Sequence, residues 1–462
     1  PCVPYQGVGR EKPEKSEMSQ PFVQIHDINM QYQQQQVLTQ LYWNINKGEN
    51  WALRGISGSG KTTLAKLIAG LQRPQHGQID ISYNYASTLP PKTLFVDSWY
   101  QFKNVEGIAN FYYQQRYTSL QAKETITVKA ELAHFAQEEQ LEMADVKPVL
   151  AGLGYAELLD TQLLQLSSGE HKKLQLVKAL WLKPQLLIID QPFTGLDAMS
   201  RKNLNSLLDE IAEQGVQLIL ICNDAELPVC INKFAEIKSG KIEEIDAEEL
   251  VHQHPDIFLH EIPAFLQHRP DYTSEEIVRM KDVNISYGEK KVLRGIDWEV
   301  KAGDKWLLQG PNGSGKSTLL SLINGDHPQS YANHLYLFGK RRGSGESIWD
   351  IKQKIGLISP EFHWYFDKSA TVWESIASGL YDSVGLFRQL PYSRKILVDE
   401  LVNYFGFTED KNRLLTALPL GKQRLALLAR TVIKNPQLLI LDEPCQGLDQ
   451  QQTRYFNRFV DE

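Results

Sequence analysis

The chain has 462 residues, about three times the ~150-residue yardstick for one domain, so two or three domains are expected. Apolar residues at 42% and charged residues at 23% exclude a disordered or collagen-like chain, and 56 acidic against 49 basic residues argue against a protein that coats nucleic acid. No apolar run approaches the roughly 18 residues needed to cross a bilayer, residues 1–20 lack a signal peptide's apolar centre, and Cys2, Cys222, Cys230 and Cys445 are too dispersed for a CxxC site, which points to a reducing, cytosolic setting.

Along the chain, residues 1–19 are predicted to be an extension outside the fold, and the low-complexity QYQQQQV (31–37) a strand-connecting loop beside Tyr32. WALRGI (51–56) then reads as a strand running into the glycine-rich GISGSGKTT (55–63), and TLAKLIAGL continues at helical spacing. Strand, glycine loop and helix in that order are the context a phosphate-binding loop needs. A helix-like stretch, roughly 100–165, precedes LLIIDQP (186–192), GLD (195–197) and the buried-strand pattern VQLILIC (216–222). The charged, proline-dotted segment 241–272 is predicted to be a solvated linker. It holds His252, His254, His260 and His268, none at ligand spacing with acidic or cysteine support. KWLLQG (305–310) is then predicted to be a strand before GPNGSGKST (310–318), followed by TLLSLING, helix-like pattern over 360–417, LLILDEP (438–444) and GLD (447–449). Lys340, Arg341 and Arg342 read as a solvated basic loop.

This is one machine written twice. Lys61 and Lys316 lie 255 residues apart, as do Tyr32 and Tyr287, while Asp190 and Asp442 lie 252 apart. A chance phosphate-loop match is expected about 0.02 times in a chain of this length, so two co-registered matches are not coincidence. The expected fold is α/β, with two tandem P-loop NTPase domains that each carry a core sheet and a helical subdomain. The predicted boundaries are 20–250 and 275–462, with 251–274 between them.

The chemistry follows from the residue types. Gly55, Ser57, Gly58, Ser59 and Gly60, and likewise Gly310, Asn312, Gly313, Ser314 and Gly315, let the backbone curl so that its N–H groups face the phosphates of ATP. Lys61 and Lys316 add positive charge, and Thr63 and Thr318 complete the loops. The hydroxyls of Thr62 and Ser317, with Asp190 and Asp442, form oxygen-donor sets suited to Mg²⁺. Tyr32 and Tyr287 are placed to stack on a purine, a core tyrosine being the alternative. After each aspartate the copies differ: Glu443 can take a proton from attacking water, and Gln191 cannot.

These residues resemble the ATP-binding cassette superfamily in tandem form. The resemblance implies a signature before the second aspartate, usually LSGGQ. LSSGE (166–170), with Ser167, Ser168, Gly169 and Glu170, is close; LPLGK (418–422), with Pro419, Gly421 and Lys422, is degenerate. It also implies D-loop residues at Asp197 and Asp449 and a switch position at Asn223, where the family carries histidine. The corresponding switch position in copy two falls near 475, past residue 462, so the second cassette is expected to be C-terminally incomplete here, either because the protein continues or because that cassette is cut short. The Q-loop glutamine is not evident, Gln101 standing in an unusual context and Ser359 and Glu361 taking its place in copy two. Head-to-tail pairing of the cassettes would make site one from Lys61, Asp190 and Gln191 with Pro419–Lys422, and site two from Lys316, Asp442 and Glu443 with Ser167, Ser168 and Gly169. All three defects, Gln191, Asn223 and Pro419, would then fall in site one. A native glutamine and one introduced to trap ATP both fit position 191.

Segments 324–356 and 378–387 narrow the resemblance to the ModF-type tandem ATPases, associated with molybdate transport or photorepair. The function so implied is that of a cytoplasmic motor, peripheral at the inner face of the cell membrane, energising an integral-membrane permease that this chain lacks. The alternatives are a tandem ATPase acting on nucleic acid or ribosomes, disfavoured by the acidic balance and short linker, and a regulatory ATP clamp.

Overall fold

The computed structural model describes residues 21–98 apart from 33 and 34, and residues 126–461 apart from 164, 165, 167, 225, 247–260, 269–271, 273, 288, 289, 312, 360–365, 368 and 446. Of the residues singled out above, Cys2, Gln101, Ser167, His252, His254, His260, Asn312 and Glu361 lie outside these.

The first unit opens with the antiparallel hairpin β1 (Val23–Tyr32) and β2 (Gln35–Ile45). The glutamine run expected to be a loop is mostly strand, with Gln31 opposite Gln36 and Tyr32 opposite Gln35. Low complexity hides this because the ladder is held by backbone groups, to which a polar side chain on the open face is no obstacle. After β3 (Trp51–Arg54) and α1 (Lys61–Ile68), β4 (His76–Ile81) joins β1, while β5 (Thr93–Val96) begins the second sheet. Helices α2 (Val128–Glu139), α3 (Lys147–Gly152) and α4 (Ser168–Leu182) form a subdomain. Then come β6 (Leu186–Asp190), α5 (Ala198–Glu213), β7 (Gln217–Ile221), β8 (Lys233–Lys238) and β9 (Lys241–Glu244).

The second sheet runs β5-β6-β7-β3-β8-β9, parallel except for the β8–β9 pair. Every residue of β6 and β7 is buried, which is why both read as unbroken apolar runs rather than alternating ones. Thus 241–244, assigned by composition to the linker, is an edge strand, because Ile237 pairs with Ile242 across a tight turn.

The second unit repeats the hairpin as β10 (Glu276–Tyr287) and β11 (Lys290–Lys301). It continues with α6 (Lys316–Ile323), β12 (His334–Leu337), β13 (Lys340–Arg341), α7 (Ile348–Lys352) and β14 (Ile355–Ile358). The subdomain helices are α8 (Val372–Ala377), α9 (Tyr392–Tyr404) and α10 (Leu420–Val432), followed by β15 (Leu438–Leu441) and α11 (Gln450–Asp461). Thr371 and Glu374 form a reciprocal capping box on α8. Its apolar face packs with α9 and α10 through Val372, Ile376, Leu401, Val402 and Ala426. Ile262, Phe265 and Leu266 of the inter-unit segment pack against the same core, so that part of the expected solvated linker is docked.

Residues 305–310 are not the strand predicted. β14 and β15 pair only with each other, and Leu307 is 80% exposed. The counterpart β3 lies between β7 and β8, both of which follow Asp190 in the chain. Among the described residues after Asp442 there is one helix and no strand, so 305–310 has no ladder to join. Trp306 still meets Trp298 edge-on at 5.6 Å, as Trp51 meets Trp43 at 5.1 Å.

The basic loop also differs from expectation. Lys340 and Arg341 are exposed on β13, but Arg342 is buried, bonded to Glu346 and Tyr331. No described helix is long and apolar enough to cross a membrane, and no metal-ligating cluster occurs among the described residues.

Candidate ATP sites at the cassette interface

Each glycine loop ends in a left-handed glycine that caps the following helix, Gly60 at φ 102° before α1 and Gly315 at φ 94° before α6. Both also need the missing side chain: a Cβ would stand 2.8 Å from Leu38 Cδ2 in one and 2.8 Å from Leu293 Cδ2 in the other. The turn therefore presses against β2 or β11 while aiming its helix N-terminus into the loop. Lys61 Nζ donates to the carbonyls of Gly55 (2.7 Å) and Ile56 (2.8 Å); Lys316 Nζ donates to those of Gly310 (2.8 Å) and Pro311 (2.9 Å). Burial lowers the Lys61 pKa, opposed by the charges of Asp190, Asp449 and Glu236.

Thr62 Oγ1 donates to Asp190 Oδ2 at 2.6 Å. Burial raises the Asp190 pKa, and the Thr62 hydrogen bond and Lys172 oppose the rise. A buried carboxylate facing a hydroxyl is a hard oxygen-donor pair, which fits Mg²⁺. Position 191 and position 443 share an unusual backbone: Gln191 has φ 52° and Glu443 φ 45°. A left-handed non-glycine residue is uncommon, so its recurrence right after both aspartates marks a turn whose geometry the fold imposes on either side chain.

The two cassettes meet head to tail. Ser57 N–H donates to Asp449 Oδ2 at 2.9 Å, and Gly421 N–H donates to Ser57 Oγ at 3.2 Å. A Cβ at Gly58 would stand 2.5 Å from Pro419 Cγ. Loop one thus faces Pro419 and Gly421, where the resemblance puts a signature, and Asp449, where it puts a D-loop residue. On the other side, a Cβ at Gly313 would lie 3.8 Å from Glu170 Oε1, and one at Gly195 would lie 3.1 Å from Gly169 Cα and 3.6 Å from Glu443 Oε2. Asp197 and Asp449 each cap a helix, accepting from Ser200 N–H and Gln452 N–H, both at 2.8 Å. Asn223 is half-buried just after β7, and Ser168 opens α4. Lys422 is turned to Asp410 at 2.7 Å. Tyr32 and Tyr287 end β1 and β10.

Spacing did not single out Lys172. Its Nζ donates to the carbonyls of Asp97 and Asp190, 2.8 Å each, and burial pulls its pKa down to about 8. It ties the signature helix to the strand that carries Asp190. A signal existed: Arg424, 252 residues on, donates to the Ser359 carbonyl at 3.2 Å.

Residues 38–194 and 293–446 each match the family described as ABC transporter. The chain is 34% identical over 436 residues to the ABC transporter ATP-binding protein ModF of Escherichia coli (strain K12), covering 90% of this chain and 86% of that one. An uncharacterized ABC transporter ATP-binding protein of Schizosaccharomyces pombe is 30% identical over 431 residues, covering 91% and 88%. A solved structure of the ATP-binding subunit of an ABC transporter is 23% identical, with TM-score 0.38, covering 49% of this chain and 92% of that one. With both halves of the repeat matched and 90% of the chain aligned to one ATP-binding relative, this chain belongs to the ABC transporter ATP-binding family as a two-cassette, ATP-binding ATPase.

Proposed function

We propose that the cassettes close around two ATP molecules and hydrolyse mainly at site two, built on Lys316, Ser317, Asp442 and Glu443 with Ser167, Ser168 and Gly169 opposite. Site one, on Lys61, Thr62, Asp190 and Gln191, holds ATP as a slow clamp. The observation that carries this asymmetry is Pro419 against Gly58. A proline there offers neither hydroxyl nor N–H to a phosphate held in loop one, and the same composite site carries Gln191. Mg²⁺, held by Thr62 with Asp190 and by Ser317 with Asp442, would neutralise phosphate charge. The protein's own part at site two is to fix the phosphates with Lys316 and the loop amides, and to accept a proton from water at Glu443. The test is nucleotide stoichiometry: two ATP retained per chain, with one turning over in a single-turnover chase. Equal turnover at both sites sinks the asymmetry.

Closure of this kind would energise an integral-membrane permease from the cytoplasmic face, with an oxyanion such as molybdate as cargo. The support is the resemblance to ModF over both cassettes. Co-purification of a membrane protein from native membranes with ATP present is the expected result. Salt-sensitive RNA binding with no membrane partner would favour action on nucleic acid or ribosomes instead.

A further inference from the structure

The two candidate base-stacking tyrosines are held differently. Tyr32 Oη exchanges hydrogen bonds with the Gln72 amide at 2.6 and 2.9 Å, in an exposed setting. Residue 327 stands 255 positions after Gln72 and, like it, four residues beyond the helix that the phosphate loop opens. There the partner is His327, with no solvent exposure, whose Nε2 lies 2.8 Å from Tyr287 Oη. The Gln329 N–H donates to His327 Nδ1 at 3.2 Å, so the neutral ring carries its proton on Nε2 and donates it to the phenol oxygen. Burial lowers the His327 pKa to about 4, which keeps the ring neutral at physiological pH.

The backbone beside each tyrosine is held alike in both copies. The Gln75 amide brackets Gln31, and the Gln329 amide brackets Ser286. The grip on the phenol differs. A glutamine on an exposed edge has several rotamers to lose, whereas a buried imidazole fixed at both nitrogens has one orientation.

We infer that His327 is a positioning residue for nucleotide-base recognition: it locks the Tyr287 ring to α6, the helix opened by loop two, and makes site two the base-selective site of the pair. This rests on the reading of site two as an ATP site with Tyr287 at the base. The stacked ring needs a fixed tilt and height to meet a purine, and a helix that moves with the phosphate loop supplies both.

The test is steady-state hydrolysis of ATP and GTP by the full chain. His327→Leu is expected to raise the KM for ATP about three- to tenfold, the worth of one hydrogen bond, with kcat within about twofold and a smaller ATP-over-GTP preference. Tyr287→Phe keeps the ring, loses only the hydroxyl, and should give the same shift; the double variant should add nothing further. His327→Gln, copying the first cassette, should recover part of the loss. An unchanged KM and base preference in Tyr287→Phe overturns the inference, even where His327→Leu fails to fold. So does a fall confined to kcat. Lys316→Ala separates the two readings. If it abolishes turnover while Tyr287→Phe and His327→Leu change nothing, only the His327 inference fails; if turnover survives it, the site-two reading fails and the inference with it.

Discussion

Glutamine in place of Glu443 is expected to lower ATP turnover by about 10²- to 10⁴-fold, the usual loss for a missing general base, while ATP binding persists. The substitution keeps the size of the side chain and removes only its ability to take a proton. The fold tolerates it, since Gln191 occupies the same left-handed turn at φ 52° where Glu443 has φ 45°. Glu443 also stands at the interface, its Oε2 3.6 Å from where a Cβ at Gly195 would lie, beside Gly169 of the close-matching signature. The reverse change, Gln191→Glu, is expected to move turnover by less than about twofold, because groups that act as a unit are not restored singly, and Pro419 remains against Gly58. Phosphate release measures turnover, and filter retention of labelled ATP measures binding. Undiminished turnover in Glu443→Gln would remove hydrolysis from site two. Full activity in the Glu443→Gln, Gln191→Glu double variant would remove the asymmetry.

What could be read from the sequence was whatever is encoded by neighbours along the chain. Gly60 and Gly315 announce their turns because the left-handed backbone, the cap and the helix all lie within a few residues. The strand β6 announces itself because both faces are covered and every residue must be apolar. What could not be read depends on partners far away. The pattern of KWLLQG is a good strand, yet strandhood needs ladders on either side, and 305–310 has none among the described residues. Ser57 meets Gly421 364 residues away; the family resemblance implied that pairing, and no spacing in the sequence did. His327 and Lys172 were passed over for a related reason, since a lone histidine or lysine shows its role only once a tyrosine or a strand end is brought to it.

Arg342→Met is expected to destabilise the second unit by about 3–5 kcal/mol, because it strands a buried carboxylate without its cation. The Arg342 and Glu346 side chains are 1% and 7% exposed, and Nη1 reaches Oε1 at 3.0 Å. Nη2 donates to Tyr331 Oη at 3.1 Å, and the guanidinium lies 4.8 Å from the Tyr331 ring centre. Arg342 Nε has no acceptor among the described residues, so the pair is imperfectly compensated and its net worth small. Breaking it on one side is another matter. Burial pushes the Glu346 pKa up, but hydrogen bonds from backbone N–H groups and the Ser344 hydroxyl, with the Arg342 charge, hold it below the ordinary value. A carboxyl whose folded pKa is depressed adds stability that is present above its ordinary value of 4.5 and lost as pH falls through the folded one. Without the Arg342 charge the folded pKa of Glu346 rises, so acidification should cost Arg342→Met less than the parent chain and narrow the stability gap between them. Replacing both partners by apolar residues, Arg342→Met with Glu346→Leu, should recover most of the stability, since neither charge is then buried alone. Because a two-unit chain need not unfold in one step, the readout is hydrogen exchange at the Arg342 amide, which donates to the Leu335 carbonyl at 2.8 Å. Its protection is expected to fall by about 10²- to 10³-fold in the single variant and far less in the double. A fall below about threefold in the single variant would mean that Arg342 is energetically the solvated cation its neighbours Lys340 and Arg341 are.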